Sequence, residues 1–172
     1  MTDADAVDFA LLLLRCGVGA VMLAHGVNHV WHGNITGTAE WFGSMGMKPA
    51  KLHAWLASVT EIGAGLLLIV GLLTPFAAAG VVGVTFVAWA INHRGNGFFI
   101  FRPGEGWEYV MVLGLAGIAL GTLGPGTWSL DDAFDIIDDL TGTAGLLISA
   151  VAGIGGAIAL LAVFWRPPTA ED

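Results

Sequence analysis

Four ionisable residues, Arg15, His25, Glu61 and Glu108, stand inside or at the edge of long stretches of otherwise apolar sequence. In hydrocarbon a charged side chain at mid-depth costs at least ~2.5–3.5 kcal/mol, so each must face the protein interior and find a partner. The histidines extend the pattern. His25, His29 and His32 follow at i, i+4 and i+7, one stripe of a helix with Asn28 beside it. At about 100° per residue, Arg15 falls within roughly 100° of that stripe, which makes one broad polar face. His53 opens the second apolar stretch, and Asn92-His93 closes the third. A neutral imidazole so placed can donate to a quinone carbonyl, relay a proton to a carboxylate, or ligate a metal or haem iron. Two histidines at i, i+4 are compatible with a metal but do not define a metal site. Haem takes axial ligands from separate helices at one depth, and His25 has no such histidine opposite it. The candidates for a ligand or proton network are therefore Arg15, His25, His29, Glu61, Asn92, His93 and Glu108, with no catalytic residue and no metal site assigned. A second reading keeps the same histidines as interfacial side chains at helix ends, with His25 only satisfying Glu61.

The elements that position these residues are helices. Five apolar stretches, 9–30, 54–73, 75–91, 109–123 and 144–164, approach the ~20 residues needed to cross ~30 Å of hydrocarbon, the fourth being short. With 56% hydrophobic residues and a mean hydropathy of +0.78, the 172-residue chain is expected to be a polytopic, all-α transmembrane bundle forming a single domain. Only helices and closed barrels satisfy backbone groups in lipid, and barrel strands would alternate apolar with polar residues. Threading the chain through five spans sends Lys48, Lys51, Arg94, Arg102 and Arg166 to one side. The other side receives Asp3, Asp5, Asp8, Asp131, Asp132, Asp135, Asp138 and Asp139. Because cytoplasmic loops retain Lys and Arg, the N-terminus is expected outside and the C-terminus in the cytoplasm of a plasma membrane. On about 1.5 Å of rise per residue, His25 and Glu61 share a depth roughly 8–10 Å from the inner boundary, whereas Arg15 lies roughly 10 Å below the outer surface. His25 is thus the expected partner of Glu61. Arg15 would reach Glu61 only by extending inward.

Other features fill in the frame. Trp31, Trp55, Trp89, Trp107 and Trp165 fall near inner ends of spans, and Phe9, Phe76 and Trp128 near outer ends, an aromatic belt. Pro75 suits the first turn of a helix. Phe98, Phe99, Ile100 and Phe101 are expected to dip into the bilayer or pack under the bundle. Gly124-Pro125-Gly126 ends the fourth span, and Ser129 is a cap for a short amphipathic outer helix over 129–141, with Leu130, Phe134, Ile137 and Leu140 opposite its aspartates. Those consecutive aspartates do not converge as calcium-loop ligands do. Gly117 and Gly121, and Gly153, Gly155 and Gly156, are small residues that let helices approach closely in lipid. Cys16 is the sole cysteine, so the sequence holds neither a dithiol centre nor a cysteine-ligated cluster. A net charge of −8 argues against a nucleic-acid partner. The first span, long and preceded by aspartates, is expected to be retained instead of cleaved as a signal peptide.

An ordered set of motifs carries a resemblance: Arg15 ahead of Ala24-His25-Gly26; Phe42-Gly43-Ser44-Met45-Gly46; Glu61-Ile62-Gly63-Ala64-Gly65; Gly71-Leu72-Leu73-Thr74; His93 with Gly97-Phe98-Phe99; Gly106-Trp107-Glu108-Tyr109; and Gly124-Pro125-Gly126-Thr127-Trp128-Ser129. Together they resemble the DoxX family of small bacterial and archaeal membrane proteins, over roughly 11–131. The resemblance implies a four-helix membrane core, kinship with a membrane subunit of thiosulfate:quinone oxidoreductase, and functional weight on Arg15, His25, Glu61, His93 and Glu108. The fifth span and the acidic outer segment depart from that pattern. Three roles follow as expectations: a non-catalytic subunit of a respiratory or redox complex, anchoring partner subunits and bordering a quinone site in the cytoplasmic half; a proton-coupled transporter; or an assembly factor whose polar network fixes helix packing.

Overall fold

The computed structural model describes residues 1–32, 34–136 and 140–168, and among these there is no β-strand. Helix α1 spans Asp3–Trp31, α2 Asn34–Ser44, α3 Ala50–Val70, α4 Thr74–His93, α5 Glu108–Leu123, α6 Leu130–Ala133 and α7 Gly142–Phe164. Four of them (α1, α3, α4 and α7) are long and apolar enough to cross a membrane, and α5 is a shorter apolar helix of 16 residues. The chain is therefore an all-α polytopic bundle. Two helices change pitch. The last turn of α4, Trp89–His93, and the segment Leu147–Ala152 of α7 are π-helical.

Helices α1, α3, α4 and α5 enclose a core of Leu11, Val18, Met22, Ala64, Leu68, Ala77, Val81 and Leu120. The most extensive crossing is between α1 and α3, and glycine makes it. A Cβ on Gly19 would stand 2.7 Å from the Gly65 carbonyl oxygen, and one on Gly26 would stand 2.9 Å from that of Ser58. Helix α7 packs outside this core. Gly153 sets it against Ala79 and Val82 of α4, and Gly145 sets it against Gly121 of α5, while Gly117 abuts Val82 and Ala78 of α4. It packs on α4 and α5 and meets α3 mainly at the basic end, where His53 lies against Phe164, so a crevice runs between α3 and α7 in front of α4.

The connections gather at two ends. At the basic end Met47 and Trp165 form an isolated antiparallel bridge, with Lys48 N–H donating to Phe164 O (3.0 Å) and Arg166 N–H to Gly46 O (2.8 Å). At the acidic end Asp8, Arg15 and the turn between α3 and α4 meet the segment after α5.

Several expectations are corrected. The outer helix does not run over 129–141. Ser129 caps it by accepting from Asp132 N–H (3.1 Å), but α6 stops at Ala133 and Asp135 takes a left-handed φ of 51°. Ile137, Asp138 and Asp139 lie outside the described residues. Asp131 does not belong to a solvated acidic face; it is buried, because the start of α4 needs it. Trp165 is a staple, with its indole N–H donating to Met45 O (2.8 Å) and Arg94 over its ring at 5.2 Å. Of the two expected places for Phe98, Phe99, Ile100 and Phe101, packing under the bundle is not found: all four side chains are exposed, with Phe98 edge-to-face against Phe99 and Trp107 and Phe99 stacked on Phe101.

Candidate functional site: an intramembrane cavity at the basic end

A cavity of about 440 Å³ lies in the half of the bundle nearer the basic loops. Its apolar walls come from α3 (Leu56, Ala57), α4 (Gly83, Val84, Val87) and α7 (Gly153, Gly156, Leu160). Leu56, Ala152 and Gly156 are themselves exposed, so the cavity opens sideways through the crevice between α3 and α7. Its polar lining is His25 and His29 of α1, His53 and Glu61 of α3, Asn92 and His93 from the π turn of α4, and Tyr109 of α5. Trp41, Phe42 and Met47 close it toward the basic loops.

Backbone geometry explains why these groups meet. The close contacts of Gly26 with Ser58 and Ile62, and of Gly65 with Gly19 and Leu23, put residue 25 level with residue 61. Yet Glu61 does not pair with His25. Its Oε2 lies 3.0 Å from Nδ1 of His29, one turn nearer the basic end. Side chains on a helix lean toward its N-terminus, and α1 and α3 are antiparallel. Glu61 therefore leans toward the basic end, while His29 leans away from it, and the two converge. His25 instead lies parallel to the Tyr109 ring, at 6.4 Å between centroids and 7° between planes. The His29–Glu61 approach has the distance of an ion pair but lacks the direction of a hydrogen bond. Both Nδ1 and Oε2 are buried without a hydrogen-bond partner among the described residues.

His93 is held from three sides. Its Nδ1 is 2.9 Å from the Glu105 carbonyl, and its Nε2 is 2.8 Å from Tyr109 Oη and 3.2 Å from Asn92 Nδ2. A carbonyl only accepts, so Nδ1 carries the proton and Nε2 accepts from the phenol and the amide. The π turn supplies this arrangement: its wider backbone spacing places Asn92 and His93 together at the cavity while Ala90 stays buried. Such one-turn π segments recur at functional sites. The His53 ring packs on Phe164 (4.9 Å) with the Lys48 backbone beside it, and its buried Nε2 has no partner among the described residues. Buried polar atoms without partners are rare in folded proteins. Three of them here line one cavity.

Two candidates lie elsewhere. Arg15 is fully buried at the acidic end, where Nη1 donates to Leu68 O (3.0 Å) and Nη2 to Trp128 O (2.7 Å). Glu108 accepts from Ile100 N–H (2.8 Å) and anchors the loop before α5, away from the cavity lining. His25, His29, Glu61, Asn92 and His93 are brought together. Tyr109 was not among the sequence candidates, nor was His53. Tyr109 is the sole tyrosine and opens a span near the inner boundary, a signal that was available. For His53 the only signal was its place at the start of a span. Among the described residues no group of three or more His, Cys, Asp or Glu converges as metal ligands would.

The fold and this cavity define a class: a polytopic helical membrane protein with a polar pocket between its helices. The DoxX family model matches residues 10–94, from α1 through the π turn of α4, so this part of the chain is a DoxX domain. No curated protein and no solved structure matches it. Within the cavity, Tyr109 and the whole α7 wall come from beyond the matched residues.

Proposed function

We propose that this DoxX-domain protein is a non-catalytic membrane subunit of a larger redox complex, whose cavity takes a quinone-type ligand. One observation carries the reading: a cavity of about 440 Å³ with largely apolar walls and a small set of polar side chains in its lining. Pockets of roughly 300–1,000 Å³ with few, convergent polar groups are the usual form of small-molecule sites. A side opening suits a ligand that arrives through the lipid with its tail trailing into the bilayer. The sole cysteine, Cys16, stands far along α1 from this site, so electrons would pass through partner subunits. Retention of basic residues on the cytoplasmic side supports an N-terminus outside and the cavity in the inner half of a plasma membrane.

The test is gentle purification from native membranes, followed by solvent extraction and mass spectrometry. The expected result is a bound quinone and co-migrating redox subunits. A lone polypeptide with no lipid-soluble carrier would overturn the proposal. The His29–Glu61 pair within the membrane favours a second reading, a proton-coupled transporter. It requires pH-driven flux in liposomes that Glu61→Gln abolishes.

A further inference from the structure

The cavity has a definite hydrogen-bonding character, which follows from what its lining groups have already committed. The Glu105 carbonyl fixes the proton of His93 on Nδ1, so the Tyr109 hydroxyl donates to Nε2 and presents only its lone pairs to a neighbour. The His53 Nε2 is buried and unpartnered, and the adjacent Lys48 carbonyl, an acceptor, keeps the ring proton on the other nitrogen. Glu61, 6% exposed, meets His29 at ion-pair distance but accepts no directed hydrogen bond at Oε2. Three acceptors, Tyr109 Oη, His53 Nε2 and the Glu61 carboxylate, therefore await donors. His25, Asn92 and Thr60, which also line the space, can serve either way. The His29 ring can likewise serve either way, and the Trp41 indole, at the end closed toward the basic loops, is the one donor-only side chain among the described lining residues.

We infer that the cavity prefers the reduced, dihydroxy form of its ligand, a quinol with an apolar tail, over the oxidised quinone. This rests on the reading above that the site holds a quinone-type molecule. A quinone ring oxygen only accepts, so against Tyr109, His53 and Glu61 it would leave acceptor facing acceptor, each desolvated without compensation. A quinol brings two hydroxyl donors and satisfies two of the three. Sites built to hydrogen-bond a hydroxyl reject analogues lacking it for this reason.

The experiment uses the full chain in lipid nanodiscs and a decyl-tailed benzoquinone with its quinol, titrated anaerobically and read by quenching of tryptophan fluorescence, Trp41 lining the cavity. The quinol is expected to bind roughly tenfold more tightly, the discrimination of one or two net hydrogen bonds. His53→Phe should weaken quinol binding more than quinone binding and draw the ratio toward one. Glu61→Gln adds an amide donor and should raise quinone affinity, a gain that a poorly folded variant cannot produce. Equal binding of both forms, or a preference for the quinone, overturns the inference and leaves the quinone-site reading standing. If neither form binds, both fall.

Discussion

The two ends of this bundle each bury charged and polar side chains, but they satisfy them differently. At the acidic end, Arg15 donates to the carbonyls of Leu68 and Trp128, and Asp131 accepts from Leu73 N–H (2.7 Å), Thr74 N–H (3.0 Å) and Thr74 Oγ (2.9 Å). Leu73 has a left-handed φ of 50° and offers no side-chain cap, so Asp131, reaching across from the segment after α5, caps α4 in its place. A carboxylate at a helix N-terminus is favourable both as acceptor and as charge. Gly71, with φ of 67°, is obligatory here, since a Cβ would stand 2.2 Å from Arg15 Nη1. The result ties α1, α3, α4 and the post-α5 segment together with little polar capacity left over; Arg15 Nε is the exception. At the basic end the polar groups are incompletely satisfied and share their space with a cavity. Satisfied burial makes a clamp, and unsatisfied burial beside a cavity makes a candidate site.

Substitutions at the two ends should separate these roles. Arg15→Ala should have the largest effect, a loss of about 3–5 kcal/mol, because it leaves the carbonyls of Leu68 and Trp128 without their donor and opens a cavity where a fully buried side chain stood. Thermal unfolding in detergent reads it; a stable, well-behaved variant would remove the clamp interpretation. Asp131→Ala should cost about 2 kcal/mol in the same assay through loss of the α4 cap, with Asp131→Asn recovering part of it. Glu61→Gln should change stability by no more than about 1 kcal/mol, since the amide keeps the shape and polarity of a carboxylate that makes no directed hydrogen bond to His29. A collapse comparable to Arg15→Ala would make the basic end a second clamp. Gly156→Leu sharpens the contrast further. Nothing lies within 4 Å of its added Cβ, so stability should hold within about 0.5 kcal/mol while the side chain fills the mouth between α3 and α7. Quinone or quinol titration should then show the loss of binding that the melting curve does not.

Hydropathy and charge are properties of short stretches, and they were legible in the chain. The apolar helices, four of them long enough to cross a membrane, the collection of Lys48, Lys51, Arg94, Arg102 and Arg166 at one end of the bundle, and the gathering of the histidines in that half all follow from residue type and spacing. Which side chains meet was not legible, because that depends on how helices cross and which way side chains lean. Glu61 found His29 instead of His25 because antiparallel helices tilt their side chains past each other. Asp131 left its expected solvated face because α4 begins with an uncapped, left-handed Leu73, a need visible only once the distant segment folds back. Tyr109 joined His93 because a π turn re-aimed one helix end toward another, and no periodicity in the chain announces that turn. The apolar and charged pattern determines which segments form long apolar helices and on which end of the bundle their loops fall. Glycine-set crossings, helix pitch and long-range caps decide the contacts, since these depend on distances between segments that are remote in the chain.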